Sequence, residues 1–235
     1  MVRVKGCVVD DFNWLVDLLK STPEDKIPRI LIFFRNIDKL SDAFAYVTVK
    51  SGKIFGEVDS NIAMFHLNTL AYRKKLILAD LGRKDGALKV IFCSSSLSMG
   101  MNLSNIEYVI HYGPPLTAEA FFQESGRAGR EKDIRCYSIL LTYSHMLSGC
   151  KPDEIMKKYS KSESGCLRNI LLAKFQSSKP EGQPHCCMRC DSDIDCPVLT
   201  MIDNSFESSI TESYSDDSVA SVGSVESLLI LCINM

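Results

Sequence analysis

The feature that most constrains this chain is a regular alternation of short apolar runs and amphipathic segments over the first 145 residues. The apolar runs are continuous, as in strands buried on both faces of a parallel sheet. They lie at 29–34, 62–65, 89–93, 107–112 and 136–141. The intervening segments place apolar side chains at helical spacing, at 10–20, 36–47, 69–81 and 116–130. This order predicts an α/β fold, a parallel sheet with helices on both faces.

The remainder of the chain divides into two further regions. Residues 146–198 are predicted to form a small helical module with a cysteine-rich loop, separate from a first domain at 1–145. Residues 199–235 are acidic and rich in Ser, with few large side chains. Such a segment buries too little apolar area to offset chain entropy, so we expect it to be a disordered tail. The apolar end at 228–235 is interpreted as a sticky peptide or a gene-model accident.

Composition and charge are those of an ordinary globular protein, with 46% hydrophobic and 24% charged residues. No apolar run approaches the roughly 20 residues that a membrane helix needs. The first residues also lack the apolar core of a secretory signal. We therefore expect an intracellular protein, nuclear with the cytoplasm as the alternative. Residues 197–235 hold six acidic and no basic residues, so the rest of the chain is mildly basic, which permits contact with a phosphate backbone.

The segment FFQESGRAGR at 121–130 carries the sharpest chemical signal. In a helix, Gln123, Arg127 and Arg130 would share one face. Gly126 and Gly129 lie beside them, and each costs ~1 kcal/mol relative to Ala inside a helix. A sequence that accepts this cost beside two arginines indicates a ligand close to the backbone, and the planar guanidinium suits phosphate oxygens. The alternative is a fraying helix end with solvated arginines.

This segment resembles motif VI of superfamily-two helicases, in the form found in the RecQ family. The resemblance implies that Arg130 is an arginine finger for ATP held between two RecA-like lobes. Arg127 would support the finger, and Gln123 would belong to the same catalytic set. Gly126 and Gly129 would lie against the nucleotide. Glu131 stands where many relatives have Asp, a mild departure.

Further segments resemble other motifs of the same family, in the same order. Residues 30–35 resemble motif IV, 89–102 resemble motif V, and 109–115 resemble the next strand and turn. Residues 64–66 resemble the strand-end histidine segment. The resemblance implies DNA contacts by four residues and nucleotide contacts by two more: Arg35, Asn36, Ser94 and Ser95 for DNA, Gly100 and Asn102 for the nucleotide.

Two of these segments depart from the family pattern. Leu67 and Asn68 replace a small Ala-Gly pair, and Leu97 and Ser98 stand where Phe-Gly is usual. The second departure puts the coupling between ATP and DNA in doubt. Serines at strand ends are also common local turn formers, which is the alternative interpretation of Ser94 and Ser95.

Five of the ten cysteines lie between Cys166 and Cys196. Cys187 and Cys190 form a CxxC pair, whose thiolates can bind one tetrahedral zinc from a tight turn. The RecQ resemblance implies a structural zinc module, with Cys166, Cys187, Cys190 and Cys196 as ligands. Cys186 is the main competitor, and His185 is a further candidate. The alternative is a set of reduced thiols without metal.

The sequence contains no GxxxxGK[ST] phosphate loop, and Gly52-Lys53 is followed by Ile54. ATP and Mg would therefore be bound mainly by a first RecA-like lobe, in cis or in trans. The resemblance implies an ATP-dependent 3′–5′ DNA helicase of repair and recombination that acts on single-stranded or forked DNA, and we expect no ATPase from these residues alone.

Two alternatives to the RecQ motor remain. One is a non-catalytic, zinc-bearing nucleic-acid-binding or adaptor module. The other is the second lobe of a DEAD-box RNA helicase, which Gln123-Glu124 and the cysteines disfavour.

Overall fold

The computed structural model describes residues 10–52, 61–98, 103–130, 135–142, 151–162, 164–175, 186–191, 194–212 and 227–233. Its centre is a six-stranded sheet in the order β2-β3-β1-β4-β5-β6. Strands β1 to β5 are parallel, and β6 pairs antiparallel with β5 at the edge. The strands are β1 Ile30–Phe34, β2 Ile62–Phe65, β3 Val90–Cys93, β4 Tyr108–Tyr112, β5 Cys136–Thr142 and β6 Ser227–Ile233.

The helices are α1 Asn13–Ser21, α2 Ile37–Lys50, α3 Ala71–Leu81, α4 Ala118–Ser125, α5 Glu154–Ser160, α6 Leu167–Leu172 and α7 Pro197–Glu212. Helices α2, α3 and α4 lie between successive parallel strands, and in the described residues a 3-10 turn follows β3, so that crossover connections join the strands. Short 3-10 turns lie at Asp10–Phe12, Glu24–Lys26, Ser95–Ser98 and Ala173–Phe175. Among the described helices, none is long and apolar enough to cross a membrane. The predicted α/β fold is confirmed, and each predicted strand agrees with the structure to within one residue at either end.

The core lies on both faces of the sheet, because successive strand side chains point in opposite directions. Ile30, Ile32 and Phe34 pack on one face beneath α1, α2 and α7. Leu31 and Phe33 pack on the other face with α3. Farther along this second face, α4, α5 and α6 cover Leu140 of β5. Every residue of β1 is buried, which explains why its sequence is continuously apolar.

The prediction of disorder for 199–235 is wrong for the described residues of that segment. Helix α7 continues to Glu212, and Val198 and Ile202 are buried in the core beside α1. The apolar residues near the end of the chain form β6, which completes the edge of β5. The tail therefore has more apolar surface to bury than its overall composition indicated.

Arg29 pins the amino ends of three strands together. Its side chain is 3% exposed and donates to the carbonyl oxygens of Leu88, Arg83, Ser104 and Gly86 at 2.6–3.0 Å. Asp80 lies 3.9 Å from the guanidinium. A Cβ on Gly86 would meet the Asp80 carbonyl oxygen at 2.4 Å, so the loop closes on Arg29 only with glycine there. A buried charge is tolerated when its donors are satisfied in this way.

We predict that Arg29→Met lowers the free energy of unfolding by about 3–5 kcal/mol, because it removes the buried donor that four carbonyl oxygens share and the charge that faces Asp80. Urea unfolding followed by circular dichroism measures the loss. Arg83→Met is the matched control, because Arg83 forms an exposed ion pair with Asp85 and should shift the midpoint little. Equal midpoints for the two variants would contradict the pinning role of Arg29.

Candidate functional site

The two arginines of the motif-VI-like segment do not lie on a helix. Helix α4 ends at Ser125, with Gly126 as its C-cap, so the predicted shared helical face of Gln123, Arg127 and Arg130 is wrong. The chain turns instead, and Gly129 has a φ of +72°. Arg127 is buried while Gln123 and Arg130 are exposed, so the alternative of two solvated arginines is also wrong for Arg127.

Both glycines of this segment have local structural reasons. A Cβ on Gly126 would lie 2.9 Å from the Phe122 carbonyl oxygen, closer than real Cβ contacts come. Gly129 has left-handed backbone torsions, which other residues adopt at a cost. The turn explains both positions without a ligand, and their assignment to the nucleotide stays a prediction.

Arg127 and Arg130 face a common small cavity toward the amino ends of β4 and β5. Leu103, Ile106 and Cys136 also line it, together with Asn105 and Gly129. Burial, and then the positive charge of Arg130, lower the pKa of Arg127 from its ordinary value. Arginine stays protonated well above neutral pH, so two positive charges are held close together at this edge.

The residues predicted to contact DNA lie at the opposite, carboxyl edge of the sheet. Arg35 follows β1 and donates to the Pro114 carbonyl oxygen at 3.0 Å. Asn36 caps α2, because its Oδ1 accepts from the backbone N–H groups of Asp38 and Lys39. Ser94 follows β3, and its hydroxyl lies 2.8 Å from that of Ser96.

Asn36 and Ser94 therefore have local structural roles, as the turn-forming interpretation of the serines expects. Ser95 begins the 3-10 turn that packs beside α4.

Other predicted positions have mixed outcomes. Gly100 and Asn102 lie outside the described residues. Leu97, one of the departures from the family pattern, is fully buried in the core. Leu67, the other apolar departure, is 72% exposed after β2.

Sequence reasoning did not assign a role to His111 or Glu124. His111 lies on β4 and Glu124 on α4, and both are buried, 3.2 Å apart. The available signal was a histidine inside an otherwise apolar strand, together with a glutamate beside Gln123.

The cysteine module brings four thiols together. The sulfur atoms of Cys166, Cys186, Cys187 and Cys190 all lie within 4.8 Å of one another, and those of Cys166 and Cys186 are 3.6 Å apart. A tetrahedral zinc with Zn–S bonds of about 2.3 Å separates its sulfurs by about 3.8 Å. The four thiols therefore fit a zinc site with cysteine at every ligand position.

Cys196 is not part of this group, so the geometry does not support its assignment as a ligand. It is buried in the core just before α7, while Cys186, the competitor, takes the fourth position. His185 lies outside the described residues. The CxxC turn is closed by the backbone N–H groups of Cys190 and Asp191, which donate to the Cys187 carbonyl oxygen.

The protein surroundings favour a thiolate at one of these positions. Burial raises the pKa of Cys187, but hydrogen bonds from the backbone of Leu167, Arg189 and Cys190 outweigh it, so the net pKa lies below the ordinary value. Burial raises the pKa of Cys186 and of Cys190. A cation among the four sulfurs would offset this cost, because thiolate is the metal-binding form.

Comparison with known proteins agrees with the parallel α/β fold. The helicase conserved C-terminal domain matches residues 10–132, just over half of the chain. The chain belongs to this family of helicase C-terminal domains.

Within that family, the relatives place the chain with RecQ-type proteins, which confirms the resemblance. It is 29% identical over 127 residues to the ATP-dependent DNA helicase RecQ of Pasteurella multocida, covering 47% of this chain and 19% of that protein. Over 44 residues it is 54% identical to the probable ATP-dependent DNA helicase RecS of Bacillus subtilis, covering 19% and 9%.

It is 27% identical over 170 residues to the mouse exonuclease/helicase WRN, covering 60% of this chain and 12% of WRN. The chain thus spans about a fifth or less of these relatives. Among solved structures, the DUF1998 helicase MrfA bound to DNA and AMPPNP aligns with 55% of this chain and 17% of its own, at 17% identity and a TM-score of 0.44.

We predict that the purified chain carries one zinc ion, because four thiols at these separations form a complete tetrahedral ligand set. Cys186→Ser should lose it, while the matched Cys196→Ala should keep it. Atomic emission of dialysed protein measures the stoichiometry. If Cys196→Ala lost zinc while Cys186→Ser kept it, Cys196 would be the fourth ligand, as the sequence predicted, and Cys186 would not.

Proposed function

We propose that this chain provides the C-terminal motor lobe of a RecQ-like, ATP-dependent 3′–5′ DNA helicase. Arg130 acts as the arginine finger, and Arg127 holds the finger in place. A first RecA-like lobe, in cis or in trans, binds most of the ATP and Mg. The proposed setting is DNA repair and recombination in the nucleus.

The observation that carries this proposal is the paired arginine turn in a chain of the helicase C-terminal family. The guanidinium of Arg130 is exposed at the turn, and that of Arg127 is buried behind it. Such an arrangement favours a polyanion, since the approach of negative charge relieves repulsion between the two cations. Charge that develops on a transferring phosphoryl group is stabilised most by donors already in place.

The carboxyl edge of the sheet is the proposed DNA contact. Arg35 is exposed there, just after β1. Ser94 and Ser95 follow β3, the strand that pairs with β1. Single-stranded or forked DNA is the expected partner. The two edges of one sheet would thus serve nucleotide and DNA separately, with α4 and the Ser95–Ser98 turn in contact between them.

The zinc proposed for the four cysteines is structural. All four ligand positions are filled by thiols, so no position is open for a substrate or a catalytic water. Cys186 and Cys187 share a buried cluster with Phe121 of α4. A metal bound to these thiols would therefore stabilise the residues that pack against α4.

We predict that the chain has no ATPase alone and gains DNA-stimulated ATPase when mixed with a RecQ-type first lobe. Arg130→Ala should lower kcat of the mixture by about 10³-fold or more, because the finger acts on the transition state. Lys20→Ala removes one positive charge from the opposite face of the sheet and should leave kcat unchanged. Wild-type activity in Arg130→Ala would exclude the finger assignment.

We also predict salt-dependent binding of single-stranded DNA by the chain alone. Arg35→Ala should reduce the slope of log affinity against log salt by about 0.7, the value for one phosphate contact on a single strand. Lys20→Ala again serves as the control, and fluorescence anisotropy across a salt titration is the measurement. An unchanged slope in Arg35→Ala would remove this residue from the DNA contact.

The DNA titration and the ATPase assay together separate the motor from the alternative of a non-catalytic adaptor. The exposed Leu67 and the buried Leu97, both departures from the family pattern, favour that alternative. DNA binding by the chain, with no ATPase restored by any first lobe, would support the adaptor.

A further inference from the structure

The second face of the sheet contains one buried pair of ionisable side chains in an apolar setting. His111 on β4 is 1% exposed, and its Nε2 lies 3.2 Å from Oε2 of Glu124 on α4. The rings of Phe33 and Phe121 stack against the imidazole, with centroids 5.7 and 4.7 Å away. Burying two such groups is costly unless they satisfy one another, and an apolar pair would fill the space at lower cost.

The imidazole of His111 lies between two aromatic rings and faces the Glu124 carboxylate. Neither ring nitrogen of His111 has an aligned hydrogen-bond partner among the described residues, so the 3.2 Å approach of Nε2 to the Glu124 carboxylate is a short polar contact. The two stacked rings prevent the imidazole from turning away. Apolar packing alone is non-directional and would let α4 slide or rotate by small amounts.

The pair lies close to the arginine turn. Glu124 is one residue before the end of α4, and Arg127 directly follows the C-cap Gly126. The next residue, Ser125, adds a second polar contact, because its hydroxyl lies 2.8 Å from that of Ser138 on β5. The last turn of α4 is therefore held to two adjacent strands by polar groups.

We propose that the buried contact between His111 and Glu124 fixes the end of α4 on β4 and thereby positions Arg127 and Arg130. His111 and Glu124 are positioning residues, since they act through the arginines. The inference rests on the proposed motor function for its catalytic consequence, but its structural part stands on the contact itself. A finger displaced by about 1 Å can lose on the order of 100-fold in rate.

The matched pair of variants is Glu124→Gln and Glu119→Gln, the same change on the same helix. Glu119 is half-exposed and faces Lys174 at 3.5 Å, away from His111. Hydrogen exchange of the full chain, read by mass spectrometry, should show faster exchange across 117–130 in Glu124→Gln and wild-type exchange in Glu119→Gln. Exchange across 37–50 should be unchanged in both. Unchanged exchange across 117–130 in Glu124→Gln would overturn the inference.

The second experiment measures ATPase activity of the chain mixed with a RecQ-type first lobe. Glu124→Gln should lower kcat by about 10- to 100-fold at a nearly constant KM for ATP, because a misplaced finger weakens the transition state and not substrate binding. Phe44→Leu, which loosens the opposite face of the sheet, controls for general destabilisation and should keep kcat. An equal loss of kcat in Phe44→Leu would assign the effect to stability and overturn the positioning role.

The two arms separate failure of this inference from failure of the proposed function. If the wild-type chain restores no ATPase, the motor proposal fails, and the exchange arm alone decides whether the pair holds α4. If ATPase is restored and Glu124→Gln retains full kcat, the positioning inference is wrong and the motor proposal stands. Should Glu124→Gln not fold, His111→Gln is measured in its place with the same controls.

Discussion

Burial of the parallel strands on both faces is the constraint on which the rest of this structure depends. A parallel sheet needs a crossover after each strand, and the crossovers bring all carboxyl ends to one edge. Arg35 and Ser94 therefore become neighbours although they are distant in sequence. The same rule sends α4 back across the second face, so that Arg127 and Arg130 arrive near the amino ends of β4 and β5.

Buried polar contacts add direction to this apolar framework. Arg29 joins the loops that enter β1, β3 and β4, and His111 with Glu124 joins β4 to α4. The charge of Arg29 would be costly alone and is tolerated because its four carbonyl acceptors are in place. Apolar burial supplies most of the driving force for folding, while these contacts define where a loop or a helix end must lie.

The cysteine module packs against helix α4. Phe121 of α4 packs against Tyr159 of α5, and Phe122 packs against Phe175 beyond α6. Cys186 and Cys187 belong to this buried cluster. Helix α4 is thus held between the sheet and a cluster that contains two of the four thiols.

The sequence by itself determined the five parallel strands, the α/β class and the family, because continuous apolar runs and short motifs are local properties of the chain. It did not determine where α4 ends, since helical spacing continues through Gly126 while the helix stops at Ser125 and the chain turns before Gly129, whose φ is +72°. It also could not choose among five cysteines. Only the tertiary structure decided this, by carrying Cys196 into the core beside α1 and leaving Cys186 within reach of Cys166, because ligand choice depends on distances in space.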